Sequence, residues 1–170
     1  MTFVPENYEL PASGSKYMEI KDGDNKLRIL SKTPFMFYKY FSTLTGKPVL
    51  LKEKPTEVPE DVKPSQFSGK KDVSEMWALV VYNYAESKVQ ILDFNQVSIK
   101  RRLIELAKDT DFGDPTGYDI KITKGVDGSG KTTYTVTPMM KSEEVSDETI
   151  EEANKIDLTE MAVQGGNPFK

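Results

Sequence analysis

The strand that decides the fold reads Met76-Trp77-Ala78-Leu79-Val80-Val81-Tyr82-Asn83-Tyr84. Apolar side chains at nearly every position predict a β-strand that is covered on both of its faces. Residues 85–87 favour a short turn, and residues 88–94 then predict a second strand. The centre of the fold is therefore predicted to be a β-hairpin.

The hairpin is followed by a segment with helical periodicity. Apolar residues recur there at i, i+4, i+7 and i+8, which places them on one face of a helix over about 96–108. These residues are Ile99, Leu103, Leu106 and Ala107. Alternating apolar residues over 118–123 and β-branched residues over 132–137 predict two more strands.

Strands are also predicted upstream of the hairpin. An Asp-Gly turn at 22–23 separates candidate strands over 17–20 and 26–30. Two further β-rich segments follow, an aromatic run over 35–41 and a short apolar stretch over 48–51. The first third of the chain is thus predicted to be mainly β-structure.

The order of the predicted core strands indicates the fold class. Five core strands with one helix between the third and the fourth match the plan of the five-stranded OB barrel, so the chain is expected to be mainly β. A half-open α+β sandwich has the same elements and is an alternative. Residues 1–15 are interpreted as an N-terminal arm, 16–138 as an OB-like nucleic-acid-binding domain with a long loop over 53–72, and 139–170 as a flexible, acidic C-terminal tail.

Charge is divided unevenly along the chain, whose formal net charge is −4. Residues 141–170 carry eight acidic and three basic side chains, whereas residues 16–52 carry eight basic and three acidic ones. Ser146, followed by acidic residues, predicts the N-cap of a short helix that ends near Lys155. A mobile tail of net charge −5 beside a basic groove is expected to compete with nucleic acid, although a merely solubilising end has the same composition.

The composition argues against several kinds of chemistry. The chain has no cysteine and no histidine, the residues that supply zinc ligands, disulfides, thiol nucleophiles and most general bases. Neither an enzymatic activity nor a cofactor or metal site is therefore expected. The sequence has no apolar run of about 18 residues and no signal peptide, so no membrane association and a cytoplasmic location (the host cytoplasm for a phage-encoded protein) are expected.

One motif matches a phosphate-binding loop but lacks the context that such a loop requires. Gly125-Val126-Asp127-Gly128-Ser129-Gly130-Lys131-Thr132 has the G-x-x-x-x-G-K-T spacing of nucleotide hydrolases. That mechanism requires a helix directly after the loop, whereas the β-branched residues after Lys131 predict a strand. The segment is therefore interpreted as the glycine-rich turn of a β-hairpin.

Binding of single strands requires aromatic faces on which bases stack and cations that contact the phosphates. Tyr38 and Tyr40 share one face of the aromatic strand, opposite Phe37 and Lys39, and the tyrosine hydroxyl tolerates water. Trp77 is included, although a tryptophan in so apolar a run is more often part of a core. The candidate nucleic-acid-binding residues are Arg28, Tyr38, Lys39, Tyr40, Trp77, Tyr82, Tyr84, Lys121, Lys124 and Lys131.

Several strand cores carry a family resemblance. The segments are Lys26-Leu27-Arg28-Ile29-Leu30-Ser31, Trp77-Ala78-Leu79-Val80-Val81-Tyr82-Asn83-Tyr84, Val89-Gln90-Ile91-Leu92, Gly113-Asp114-Pro115, Tyr118-Asp119-Ile120-Lys121-Ile122 and Tyr134-Thr135-Val136-Thr137-Pro138. Over residues 25–138 this pattern resembles the single-stranded DNA-binding proteins of tailed bacteriophages. The resemblance implies an OB fold, cooperative coating of single strands in phage DNA replication and recombination, and an acidic tail, here 141–170, that contacts replication or recombination proteins. The end of the chain, Asn167-Pro168-Phe169-Lys170, departs from the family's run of acids before a terminal aromatic residue.

The expected function is therefore sequence-tolerant binding of single-stranded DNA by base stacking and phosphate contacts. A protein–protein interaction module or phage structural module on an OB-like barrel is the alternative, in which the tyrosines form an ordinary contact patch. The preference for DNA over RNA, the cooperativity and the oligomeric state do not follow from the sequence.

Overall fold

The computed structural model describes residues 16–66, 68–140 and 143–170, so the predicted arm over 1–15 lies outside the described residues. Within them the strands are β1 (Gly23–Ile29), β2 (Phe35–Phe41), β3 (Pro48–Leu51), β4 (Ser74–Asn83), β5 (Lys88–Phe94), β6 (Asp119–Val126) and β7 (Thr132–Pro138). The α-helices are α1 (Val97–Lys108) and α2 (Asp147–Asn154), and short 3₁₀ helices span Pro115–Gly117 and Leu158–Ala162. Among the described helices, none combines the length and the apolar character needed to cross a membrane.

The strand predicted to decide the fold, β4, lies at the centre of one antiparallel sheet. One edge of β4 pairs with β2 and then with β1, while its other edge pairs with β5. The sheet extends from β1 to β6 and β7, and from β2 to β3. Between β1 and β2 the chain leaves the ladder at Ser31, whose hydroxyl accepts a hydrogen bond of 3.1 Å from the Val80 amide. Pro34, which has no N–H to donate, lies in the same interruption.

The mainly β character is confirmed, but the sheet has seven strands and does not close into the predicted five-stranded barrel within the described residues. Closure would require the outer edges of β5 and β7 to pair. The outer edge of β5 is partly taken by residues 16–18, because Met18 N donates to Ile91 O at 2.8 Å. At the other end of the sheet, Arg102 Nε on α1 donates to Val136 O on β7 at 3.3 Å.

The predicted hairpin between 17–20 and 26–30 is not formed. Tyr17 instead forms an isolated parallel bridge with Ile91 on β5. The Asn25 side chain accounts for the difference, since its amide accepts from Lys21 N at 2.9 Å and donates to Lys21 O at 2.8 Å. These two bonds occupy backbone groups that a hairpin ladder would use.

Helix α1 packs on one side of the sheet, called here the inner face. The apolar stripe predicted from its periodicity is confirmed, because Ile99, Leu103 and Leu106 are all buried. They pack against alternate residues of the strands, namely Leu27, Ile29, Trp77, Leu79, Val81, Leu92, Phe94, Ile120, Ile122 and Val136. Burial of each large apolar side chain stabilises the fold by about 1.5–3 kcal/mol, so this cluster is the main core.

The opposite side, called here the outer face, is apolar over β4 and β5 and is covered by the C-terminal segment, residues 143–170. Phe37, Met76, Ala78 and Ile91 are buried together with Met161. Beside them, Val80 and Val89 are buried together with Ala153 of α2. The two-sided burial that the sequence of β4 predicts is therefore confirmed.

The C-terminal segment differs from the predicted flexible tail. The Ser146 cap is as predicted, since its hydroxyl accepts from Thr149 N at 3.2 Å at the start of α2. Beyond α2, Ile156, Leu158 and Phe169 pack on the outer face. This packing removes water from apolar strand residues, but the apolar residues that provide it are dispersed among acids in the sequence.

Candidate nucleic-acid interface

The sheet separates the predicted binding residues into groups, because alternate residues of a strand point to opposite faces. Arg28, Lys39, Tyr82, Tyr84 and Lys121 belong to the outer face. Tyr38, Tyr40 and Trp77 belong to the inner face. Lys124 and Lys131 lie near the turn of the β6–β7 hairpin. The ten residues therefore do not form one continuous surface.

Five outer-face residues form what we call the Tyr82–Tyr84 cluster: Lys26, Arg28, Tyr82, Tyr84 and Asp119. Strand register brings them together, since Arg28 on β1 lies between Tyr82 on β4 and Asp119 on β6. Tyr84 follows the end of β4 but stays against β1, because its amide donates to Lys26 O at 3.3 Å. Lys26 and Arg28, two positions apart, extend from the same face of β1.

Asp119 is the buried anchor of the cluster, with 0% of its surface exposed. Its Oδ1 atom accepts from the Tyr84 hydroxyl at 2.6 Å and from Arg28 Nη1 at 3.3 Å. Lys26 Nζ lies 3.9 Å from the other carboxylate oxygen. Arg28 is held further by its Nε atom, which donates to Thr116 O at 2.9 Å. One buried carboxylate thus fixes two cations and one aromatic ring.

The aromatic rings of the cluster are arranged edge to face. The Tyr82 and Tyr84 ring centroids are 5.1 Å apart with an interplanar angle of 78°. Lys26 Nζ lies 4.4 Å from the Tyr84 centroid, within the range of a cation–π contact. Burial raises the pKa of the Tyr84 phenol, and its hydrogen bond to Asp119 raises the pKa further. Tyr84 therefore stays protonated and keeps donating to Asp119 at physiological pH.

Two members of this cluster, Lys26 and Asp119, were not predicted from the sequence. Lys26 could have been found, because it alternates with Arg28 along β1, and the residue after each of them, Leu27 or Ile29, is apolar and buried. Asp119 reads as the solvent-facing residue of a half-buried strand. Its burial depends on the register that places Arg28 opposite it, which is a property of strand pairing.

Residues 143–146, which include the acidic side chains of Glu143 and Glu144, lie across the cluster, and we call this segment the strap. Glu143 N donates to Asp119 Oδ2 at 3.0 Å, and Glu143 O accepts from Arg28 Nη1 at 3.4 Å. The Glu143 carboxylate lies 3.8 Å from Lys26 Nζ. A cavity of about 230 Å³ remains between the strap and the two tyrosine rings, Tyr82 and Tyr84. The strap thus contacts both cations of the cluster, Lys26 and Arg28.

The predicted lysines contribute unequally to this surface. Lys121 extends the cluster, because it pairs in register with Lys26 on the outer face and contacts Asp24 at 3.7 Å. Lys124 contacts Asp22 at 3.7 Å near the end of the sheet. Lys131 is exposed beyond the last residues of β6. Lys39 lines a separate outer-face cavity together with Met161 of the C-terminal segment.

The inner-face aromatics form a second, separate group. Tyr38 and Tyr40 are half-exposed on β2, on the face opposite the buried Phe37, as predicted from strand alternation. Trp77 is only 7% exposed and belongs to the main core. Its indole N–H donates to Glu75 Oε1 at 2.9 Å. Its burial leaves little of the ring accessible for stacking, whereas Tyr38 and Tyr40 remain accessible.

The glycine-rich motif over 125–132 forms the β6–β7 turn, which confirms the hairpin interpretation. Asp127 closes the turn, because its Oδ1 atom accepts from Ser129 N at 2.9 Å and from Lys131 N at 3.0 Å. These hydrogen bonds lower the pKa of the Asp127 carboxyl. A carboxylate thus occupies amide donors that a phosphate-binding loop would direct at its ligand.

Comparison with known proteins adds no relative to this picture. No protein-family profile, curated protein sequence or solved structure matches the chain. Among the described residues, no group of three or more acidic side chains is arranged to hold a metal ion.

Proposed function

We propose that this protein binds single-stranded DNA with little sequence preference through the outer-face Tyr82–Tyr84 cluster. The observation that carries the proposal is the anchoring of two cations, Lys26 and Arg28, and of the Tyr84 ring by the buried Asp119. Prior fixation of these groups reduces the conformational entropy lost on binding. Each base stacked on an aromatic ring contributes about 1–3 kcal/mol, and stacking tolerates any base.

The strand plan supports the same surface. If β2 and β3 are taken as an insertion after β1, the remaining strands are β1, β4, β5, β6 and β7 with α1 between the third and the fourth, which is compatible with an opened relative of the OB plan. In OB folds the second and third strands supply much of the binding face. Here these are β4 and β5, and Tyr82 lies at the end of β4. A role in phage DNA replication and recombination follows from the resemblance of the strand cores.

The strap supports regulation of this site by the protein's own acidic segment. Glu143 places a carboxylate beside Lys26, where a phosphate of the DNA would lie. The strap is distinct from the apolar residues 153–169, which pack on the outer face and help to form the fold. Removing the whole segment 141–170 would therefore also expose core residues, so the competition is better tested by changing charges in the strap. The exposed acids of α2 remain accessible to a replication or recombination protein.

Titration of a fluorescently labelled oligo-dT with the full chain tests the proposal at two salt concentrations. Binding should weaken as salt increases, because phosphate contacts release counterions. Lys26→Gln should reduce the slope of log affinity against log salt by about one, whereas Lys131→Gln, outside the cluster, should leave it unchanged. Equal slopes for both variants and the wild type would place the phosphate contacts elsewhere.

A further inference from the structure

The cavity beneath the strap differs in chemistry from the cations that lie beside it. Its volume is about 230 Å³, and its walls are Tyr82, Tyr84, Thr149 and the strap. Within the described residues, these walls contain two carboxylates but no lysine or arginine. They would therefore repel a phosphate, whereas they suit a flat, uncharged group that carries N–H donors.

The wall that the strap forms is fixed at both of its ends. Glu143 N donates to Asp119 Oδ2 at 3.0 Å, and the Ser146 hydroxyl accepts from Thr149 N at 3.2 Å at the start of α2. α2 is itself anchored, because Ala153 is buried on the outer face. A phosphate can therefore displace an acidic side chain of the strap while the strap backbone remains as a wall of the cavity.

Glu144 supplies the available acceptor on the strap side of the cavity. The Glu143 carboxylate lies 3.8 Å from Lys26 Nζ, and the Ser146 and Thr149 hydroxyls share a hydrogen bond of 2.9 Å. The Glu144 side chain, by contrast, is exposed and has no hydrogen bond or ion pair with another described residue. Its carboxylate can therefore accept a hydrogen bond from a ligand in the cavity.

The tyrosine side of the cavity supplies an aromatic face. Tyr84 is held within the cluster, because its hydroxyl donates to Asp119 and Lys26 Nζ lies 4.4 Å from its ring centroid. The Tyr82 hydroxyl has no partner among the described residues. A base that enters the cavity would therefore stack on Tyr82 and direct its polar edge toward the strap.

We propose that the cavity receives one base of the bound strand and that Glu144 accepts a hydrogen bond from its exocyclic amino group, an inference that rests on the proposed function. Carboxylates accept in this way from the N4 amino group of cytosine. In thymine and uracil the same position is a carbonyl oxygen, which a carboxylate repels. Stacking alone tolerates any base, so Glu144 adds a modest preference for amino-bearing bases to a sequence-tolerant site.

Short oligonucleotides that cover one molecule test this inference at neutral pH and one low salt concentration. Oligo-dC and oligo-dU are the probes, because their bases share one ring and differ only in the hydrogen-bonding groups at positions 3 and 4. The wild type should bind oligo-dC about two- to tenfold more tightly than oligo-dU, the effect of one net hydrogen bond. Glu144→Ala should abolish this preference.

Glu143→Ala is the matched control, because it removes the same charge from the adjacent residue, whose carboxylate faces Lys26. It should strengthen the binding of both oligonucleotides by a similar factor and retain the preference for oligo-dC. Equal affinity of the wild type for the two oligonucleotides, or an unchanged preference in Glu144→Ala, would overturn the inference and leave the proposed function intact. If neither the wild type nor Glu143→Ala binds either oligonucleotide, the proposed function fails and the inference fails with it.

Discussion

The hydroxyl of Tyr84 donates a hydrogen bond of 2.6 Å to Asp119, a carboxylate that is fully buried and also pairs with Arg28. The aromatic and the cationic parts of the proposed binding surface therefore depend on one buried group. A buried carboxylate needs such partners, because an uncompensated charge inside a protein costs several kcal/mol. Loss of a partner should be measurable both in stability and in the position of the remaining groups.

Replacement of Tyr84 by phenylalanine tests this anchor. Tyr84→Phe keeps the ring and removes the hydrogen bond, so the free energy of unfolding should fall by about 1.5–3 kcal/mol, the range for hydrogen bonds to charged groups. Tyr82→Phe is the control, since the Tyr82 hydroxyl has no partner among the described residues. Denaturant unfolding of both variants gives the comparison, and equal losses would contradict the role of Asp119.

Neutralising the strap should tighten DNA binding. Glu143→Gln/Glu144→Gln removes the carboxylate beside Lys26, and the affinity for oligo-dT should rise by a factor of about 1.4 to 5, since an exposed ion pair is worth roughly 0.2–1 kcal/mol. Glu151→Gln/Glu152→Gln on α2 is the control, because it changes the net charge by the same amount at positions outside the strap. An equal gain from both pairs would indicate a general charge effect and no local competition.

The C-terminal segment should behave as part of the folded core. Met161 is 8% exposed and is buried with Phe37, Met76 and Ile91. Met161→Ala should therefore reduce the free energy of unfolding by about 2–4 kcal/mol, as large-to-small changes in a core do. Val163→Ala, at a site that is 48% exposed, should have little effect. Equal stability of the two variants in denaturant unfolding would show that this segment does not pack on the sheet.

The stability of the fold should decrease in acid when Glu75 becomes protonated, because its carboxylate accepts the hydrogen bond of the Trp77 indole. That bond lowers the pKa of Glu75, and the nearby Lys100 ammonium adds to the effect. Because the pKa is lower in the folded protein, this stabilisation is present above the ordinary glutamate pKa. It is lost as the pH falls through the folded value.

Thermal unfolding monitored by Trp77 fluorescence over the acid range checks this pH dependence. Glu75→Gln should have a weaker acid dependence than the wild type. Glu105→Gln, which removes a surface partner of Arg102, should retain the wild-type dependence. If Glu75→Gln loses stability in acid as steeply as the wild type, the bond to Trp77 does not control this transition.

Local patterns predicted most of the elements. The continuous apolar run of β4 and the helical period of α1 are strong signals, and α1 spans 97–108 where 96–108 is predicted. Pairing between segments that are distant in the sequence was harder to predict from local patterns. The sequence contains no signal that Asn25 binds the Lys21 backbone and diverts residues 17–20 from a hairpin. The closing pair of a barrel is likewise a long-range property, which strand order alone does not determine.

The candidate site was predicted in part for the same reason. Alternation within β2 correctly places Tyr38 and Tyr40 on one face, but the register between β2 and β4 determines which side of the sheet that is. Tyr82 and Tyr84 lie on the other side. The packing of the acidic tail was missed because its apolar residues, such as Ile156 and Met161, have no regular period.

The location of the bound strand is the central claim, and the two pairs of tyrosines test it most directly. Affinity for labelled oligo-dT should be measured for Tyr82→Leu on the outer face and for Tyr38→Leu on the inner face, at one low salt concentration. Leucine keeps apolar packing and removes the ring, so Tyr82→Leu should weaken binding about tenfold, the loss of one stacked base. Tyr38→Leu should bind like the wild type. Weakened binding in Tyr38→Leu with unchanged binding in Tyr82→Leu would contradict the outer-face site, and no binding by the wild type or by Glu143→Gln/Glu144→Gln would contradict the function itself.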